Sequence, residues 1–266
     1  MELTILKTNL IYFGIYFLEV KNILDRNNII PGRIMKGYEK AKLDSELYTH
    51  FKTFIKNDLP DCFSQDIISK QSFISHKNKK IETAWTHSLL KINKTIREEI
   101  SIDIAYIENG EPLFSFIYFP FKDILYLSIY KEKNYKINKF SMKYPIFMKS
   151  SFKEIFKEIL INYKYNNALV MDHSNEERDF EDLIISKYAK TVSKVIKKFG
   201  SETFISIVEG ESSIFVYPLP SFVWNLIPGA MFCINCGFNV KTEEEGKDLD
   251  LSFVYSPIPP YIIERK

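Results

Sequence analysis

Cys233-Ile234-Asn235-Cys236 has the spacing of a redox-active dithiol or of half a zinc site. No second cysteine pair and no His-x-x-x-His accompany it, so the two cysteines read as small core residues. Asp172-His173-Ser174 offers a histidine between two helix-capping residue types, and His173 reads as a capping-loop histidine. Glu209 sits in a Val208-Glu209-Gly210 turn, where it could contact a ligand or simply close the turn. Asp44 and Asp66 are carboxylates near the start of the chain, and Asp44 has the placement of a helix N-cap. Lys77-Asn78-Lys79-Lys80 reads as a solvated loop.

The elements that must position these residues can be read from hydrophobic spacing. Residues 3–25 read as a first helix. Residues 42–56 read as a second, with Leu43, Leu47, Phe51 and Ile55 on one face at four-residue spacing. Residues 102–108, 113–118 and 123–130 form an antiparallel meander, turning first at Asn109-Gly110. Pro145 marks a hinge between an N-terminal α+β part, 1–143, and a C-terminal α/β part, 144–266. Beyond it the spacing predicts a helix over 152–163, a buried strand over 168–171, and a long helix from 172 to 198. That helix has Val192, Val195 and Ile196 facing the core and Lys194, Lys197 and Lys198 facing water. Phe204–Val208 and Ile214–Tyr217 read as strands, followed by a helix after Trp224.

The stretch from Gly200-Ser201 through Val208-Glu209-Gly210, Tyr217-Pro218 and Trp224-Asn225 resembles the C-terminal half of the inositol monophosphatase superfamily, nearest its bisphosphate nucleotidase branch. The resemblance covers roughly residues 40–265 and implies an α/β fold, a layered helix/sheet sandwich of the sugar-phosphatase type. It also implies a magnesium-dependent phosphate monoester hydrolase, whose metals activate water and stabilise the leaving oxygen. The family supplies four key carboxylates: one from Gly-Glu-Glu, two from Asp-Pro-Leu-Asp and one from Trp-Asp. The matching positions here are Gln65, Ser88, Lys91 and Asn225, none of which carries negative charge. The signature Gly and Thr fall on Ile92 and Asn93. By the same resemblance, Asp44 matches an aspartate that supports the metal site, His173 falls near a substrate-phosphate sequence, and Lys91 can face a phosphate in place of metal charge. Asp103 lies on a strand several residues too far along to replace a signature aspartate.

Two functional expectations follow. The first is a pseudoenzyme with no metal, binding a small phosphorylated ligand or a protein through Lys91, Asn93, His173 and Glu209. The second is an active magnesium-dependent phosphatase or bisphosphate nucleotidase that uses Asp44, Asp66 or other carboxylates. A net charge of +2 gives no bulk reason to expect nucleic acid or an acidic membrane. The apolar run 10–18 is too short to span a bilayer, which takes roughly 20 residues. Three cysteines make no disulfide framework, which points to a cytoplasmic protein. A monomer or a homodimer is expected.

Overall fold

The computed structural model describes residues 3–30, 36–59, 63, 66–69, 82–89, 100–147, 157–159, 166–172, 178–188, 190–198, 200–217, 221–251 and 258–265. Helix α1, Leu3–Arg26, and helix α2, Gly37–Asn57, open the chain. Helix α1 buries Phe13, Tyr16, Phe17, Val20 and Leu24 at three- and four-residue spacing. It ends in a Schellman turn. Asn28 adopts a φ of 53°, the Ile29 amide donates to the Leu24 carbonyl at 2.9 Å, and the Asn28 amide donates to Asp25 at 3.0 Å. Helix α2 buries Leu43, Leu47, Phe51, Phe54 and Ile55, and Glu39 Oε2 accepts the Lys36 amide at its start. Asp44 therefore stands inside α2 rather than at its N-cap, because the helix begins at Gly37.

A seven-stranded sheet follows in chain order. It comprises β1 (Ile67–Ile68), β2 (Thr83–Leu89), β3 (Ile102–Glu108), β4 (Glu111–Phe119), β5 (Ile124–Ile129), β6 (Asn134–Asn138) and β7 (Lys157–Glu158). Only β1 and β2 run parallel; every later pair is antiparallel. The β3–β4 turn is Asn109-Gly110, both at positive φ, as its sequence requires. Period-two alternation sends Ile102, Ile104 and Tyr106 to the α1–α2 side and Ala105 and Ile107 to the other. Helix α3, Phe140–Phe147, contains Pro145, and the first sheet continues past it to β7. The rest of the helix expected over 152–163 lies outside the described residues, but 157–158 is strand.

The second sheet has the order β11-β12-β10-β8-β9. Its members are β8 (Ala168–Asp172), β9 (Lys194–Lys198), β10 (Ile214–Tyr217), β11 (Phe238–Thr242) and β12 (Tyr261–Arg265). Three helices accompany it: α4 (Arg178–Tyr188), α5 (Glu202–Val208) and α6 (Val223–Asn235). The long helix to Lys198 is thus replaced by α4 and the edge strand β9, parallel to β8. Val195 and Ile196 between lysines suit either period, and lysines on an open edge discourage pairing with another chain. Phe204–Val208 is helix rather than strand, buried on every side. A short continuous apolar run fits either form, and here close packing against α6 selects the helix. A Cβ added at Gly229 of α6 would meet the Phe204 ring at 2.3 Å, so only glycine permits this approach. No helix among the described residues is long and apolar enough to cross a membrane.

One buried contact gives the fold a measurable pH signature. Tyr16 Oη and His87 Nε2 lie 3.1 Å apart, and the His87 ring stacks on Phe51 at 4.7 Å. Burial, reinforced by His50, lowers the His87 pKa to about 3. The unfolded chain takes up this proton from pH 6.5 downward while the native state does not, so the stability contribution is lost as pH falls through that window. Against a His87→Gln variant, the wild type should lose about 1 kcal/mol of relative stability per pH unit between pH 6 and pH 4. Urea unfolding of both proteins across that range checks it, and a constant difference would contradict it.

Candidate active site

Strands β2 and β3, the start of α5 and the first turn of α6 converge on a group of polar side chains. The Ser88 hydroxyl, on β2, donates to Asn225 Oδ1, on α6, at 2.8 Å across 137 positions of sequence. Both groups are neutral at all ordinary pH. Ser88 is 5% exposed and Asn225 is half-buried. The two positions matched to signature aspartates of different motifs thus meet directly. Gln65, Lys91, Asn93 and His173 lie outside the described residues.

Directly across the ladder from Ser88 stands Asp103 on β3. Cross-strand partners project to the same face with Cβ atoms about 5 Å apart. Asp103 is fully buried. Its Oδ2 accepts the hydroxyl of Ser201, which precedes α5, while its Oδ1 has no hydrogen-bond partner among the described residues. Burial raises its pKa to about 7, against the pull of the Ser201 and Ser101 hydroxyls. Hydrophobic pattern alone gives no reason to pair Ser88 with a residue fifteen positions later. The antiparallel register of β2 and β3 makes them neighbours, and writing out that hairpin would have exposed Asp103.

The remaining candidates are placed elsewhere. Glu209, at the end of α5, accepts from Tyr126 Oη at 2.9 Å and from Lys136 Nζ at 2.6 Å. It ties α5 to β5 and β6. Asp44 lies on α2, which covers the sheet face opposite α6. The exposed Asp66 gives its backbone carbonyl to the Trp85 amide at 2.8 Å. Cys233 and Cys236 are buried free thiols, and Asn134 Nδ2 lies 3.2 Å from Cys236 Sγ. Among the described residues, no group of three or more His, Cys, Asp or Glu side chains is placed to hold a metal. Magnesium, which the resemblance implies, would find, beside the buried Asp103 carboxyl, two neutral oxygens at Ser88 and Asn225. One of these already accepts a hydroxyl hydrogen, so this pair does not fit a hard dication that favours carboxylates.

Asp103 also makes the stability of the fold depend on pH. Its folded pKa lies above its unfolded value, so the native state holds the extra proton between about pH 4 and pH 7. The contribution is fully present below pH 4 and lost as pH rises through 7. Asp103→Asn should therefore raise stability at pH 8.5 by roughly 1–3 kcal/mol and by less at pH 5. Thermal or urea unfolding at the two pH values reads this directly, and an equal effect at both would contradict it.

No model of a known protein family matches the chain. A 145-residue stretch, 54% of this chain, is 28% identical to the 3'(2'),5'-bisphosphate nucleotidase CysQ of Buchnera aphidicola subsp. Acyrthosiphon pisum, and the match spans 48% of that protein. The crystal structure of CysQ from Bacteroides thetaiotaomicron, a bacterial member of the inositol monophosphatase family, superposes with a TM-score of 0.63 at 17% identity. That superposition covers 96% of this chain and 94% of that one. Inositol monophosphatase II of Staphylococcus aureus MSSA476 gives a TM-score of 0.68 at 12% identity, covering 98% and 88%. The chain resembles the inositol monophosphatase superfamily, bisphosphate nucleotidases among its members, and has that family's α/β fold.

Proposed function

We propose that this chain is an inositol monophosphatase-superfamily protein, nearest the bisphosphate nucleotidases, whose magnesium-dependent phosphatase site has been lost. It binds a small phosphorylated ligand in the former cleft without hydrolysing it, as a cytoplasmic protein with no nucleic-acid or membrane partner. The observation that carries this reading is the hydrogen bond from Ser88 to Asn225. Two carboxylates at that separation repel one another and call for a cation between them. A hydroxyl and a carboxamide satisfy each other and leave no such demand. The Asn225 carboxamide keeps its Nδ2 hydrogens for an anionic ligand. Asn225 also lies in the first turn of α6, where the helix dipole favours negative charge and no acidic residue intervenes. Lys91, Asn93 and His173 belong to the proposed ligand site by their places in the sequence.

The second reading is an active magnesium-dependent phosphate monoester hydrolase, and similarity to a bisphosphate nucleotidase favours it. It has to draw its carboxylates from Asp44, Asp66 or other acidic residues. Assays of phosphate release from inositol monophosphate and adenosine bisphosphate in millimolar Mg²⁺ separate the two. Our reading expects no release above the uncatalysed background. Turnover at ~1 s⁻¹, within the ordinary range of enzymes, that disappears in Asp44→Ala would establish the second.

A further inference from the structure

The buried Asp103 carboxyl has no place in the phosphatase chemistry implied by the resemblance, yet it stands beside the Ser88–Asn225 pair. We propose that Asp103 is a proton-carrying anion-recognition group: when protonated, it donates a hydrogen bond from Oδ1 to an oxygen of a phosphate or sulfate group seated against Asn225, and when ionised it repels that group. The inference deepens the ligand-binding reading above and rests on it.

Three observations meet here. The first is the orphaned Oδ1, fully buried, on a side chain whose other oxygen is already committed to Ser201. A buried oxygen left without a partner is costly, and a proton shared with an incoming acceptor removes that cost. The second is direction: Asp103 and Ser88 are cross-strand partners, and Ser88 bonds to Asn225, so all three belong to one face of the sheet under the first turn of α6. The third is charge. The first turn of the 13-residue α6 carries no acid, and the helix terminus and the Asn225 carboxamide both supply donors for an anion. An ionised Asp103 would work against all of them, and a protonated one joins them.

Among the described residues, the neighbouring groups leave Asp103 as the titrating element. On β2 its partner is Ser88, with Thr86 and Ala84 further along the same face, and on β4 its partner is Ile117. The α6 first turn offers Asn225, and the approach to α5 offers Ser201 and then Glu202, which is ion-paired with Lys122. His87 faces the opposite side, toward Tyr16 and Phe51, and stays neutral above pH 5. The shift at Asp103 arises first from burial, opposed by the Ser201 and Ser101 hydroxyls.

Sulfate tests this, because its charge is constant across the range while that of phosphate is not. Calorimetric titration of the full chain with sodium sulfate should show binding at pH 5.5 that weakens about 30-fold at pH 8.5, the change in the protonated fraction of a group with a pKa of about 7. Asp103→Asn keeps a neutral donor of the same shape, so its sulfate affinity should be retained at pH 8.5 and nearly flat with pH. Sodium chloride at matched ionic strength serves as the control. Binding with the same pH dependence in wild type and Asp103→Asn would overturn the role of Asp103 while leaving the ligand-binding reading intact. Failure of the wild type to bind sulfate or inorganic phosphate at either pH would overturn both. Stabilisation by Mg²⁺ or K⁺ that vanishes in Asp103→Asn would make the carboxylate a cation ligand and overturn the proposal.

Discussion

Helix α6 is apolar on every side, and the rest of the architecture answers to that. Trp224, Leu226, Ile227, Ala230, Met231, Phe232 and Cys233 are all buried, which a helix achieves only when protein covers it all round. One flank packs on Ala84, Ala105, Ile107 and Ile117 of the first sheet, and the other on Phe204, Phe215, Phe238 and Ile263 of the second half. The helix is also bonded to the first sheet at fixed points. Ser115 Oγ donates to the Pro228 carbonyl at 2.8 Å, Asn134 Nδ2 to the Phe232 carbonyl at 2.9 Å, and Asn235 Nδ2 to the Ile129 carbonyl at 2.7 Å. These bonds set the rotation and height of α6. Its first turn, and with it Asn225, is thereby delivered to the strand end that carries Ser88.

That delivery does not depend on charge at the site. Positioning Asn225 depends on the apolar body of α6, on Gly229 against Phe204 and on the sheet register, none of which requires a carboxylate at either end. A hydroxyl and a carboxamide at Ser88 and Asn225 carry no mutual repulsion and are satisfied by one hydrogen bond. Among the described residues beside this pair, Asp103 is a buried ionisable group, and burial raises its pKa to about 7.

Much of this was legible in the sequence, and the exceptions have physical causes. The meander from β3 to β5 could be read because alternation and the Asn109-Gly110 turn are local signals. Helices α1 and α2 announced themselves through four-residue apolar spacing. Phe204–Val208 could not be assigned, since a run buried on all sides has lost its periodicity. At 194–198 an edge strand and a wet helix face share the same lysine-rich pattern. The meeting of Ser88 with Asn225 was accessible only through resemblance. Asp103 was set aside because its distance along the chain was counted, when the relevant distance is the one across the ladder.

The central claim is that the cleft receives an anion without a bridging metal. A crystal grown with Mn²⁺ and phosphate, measured at the manganese absorption edge, tests it most directly. The account predicts phosphate density beside the Ser88–Asn225 pair and no anomalous peak within coordinating distance of either side chain. A manganese peak bound to Ser88 or Asn225, with phosphate bridged through it, would contradict the account and restore a metal-dependent site.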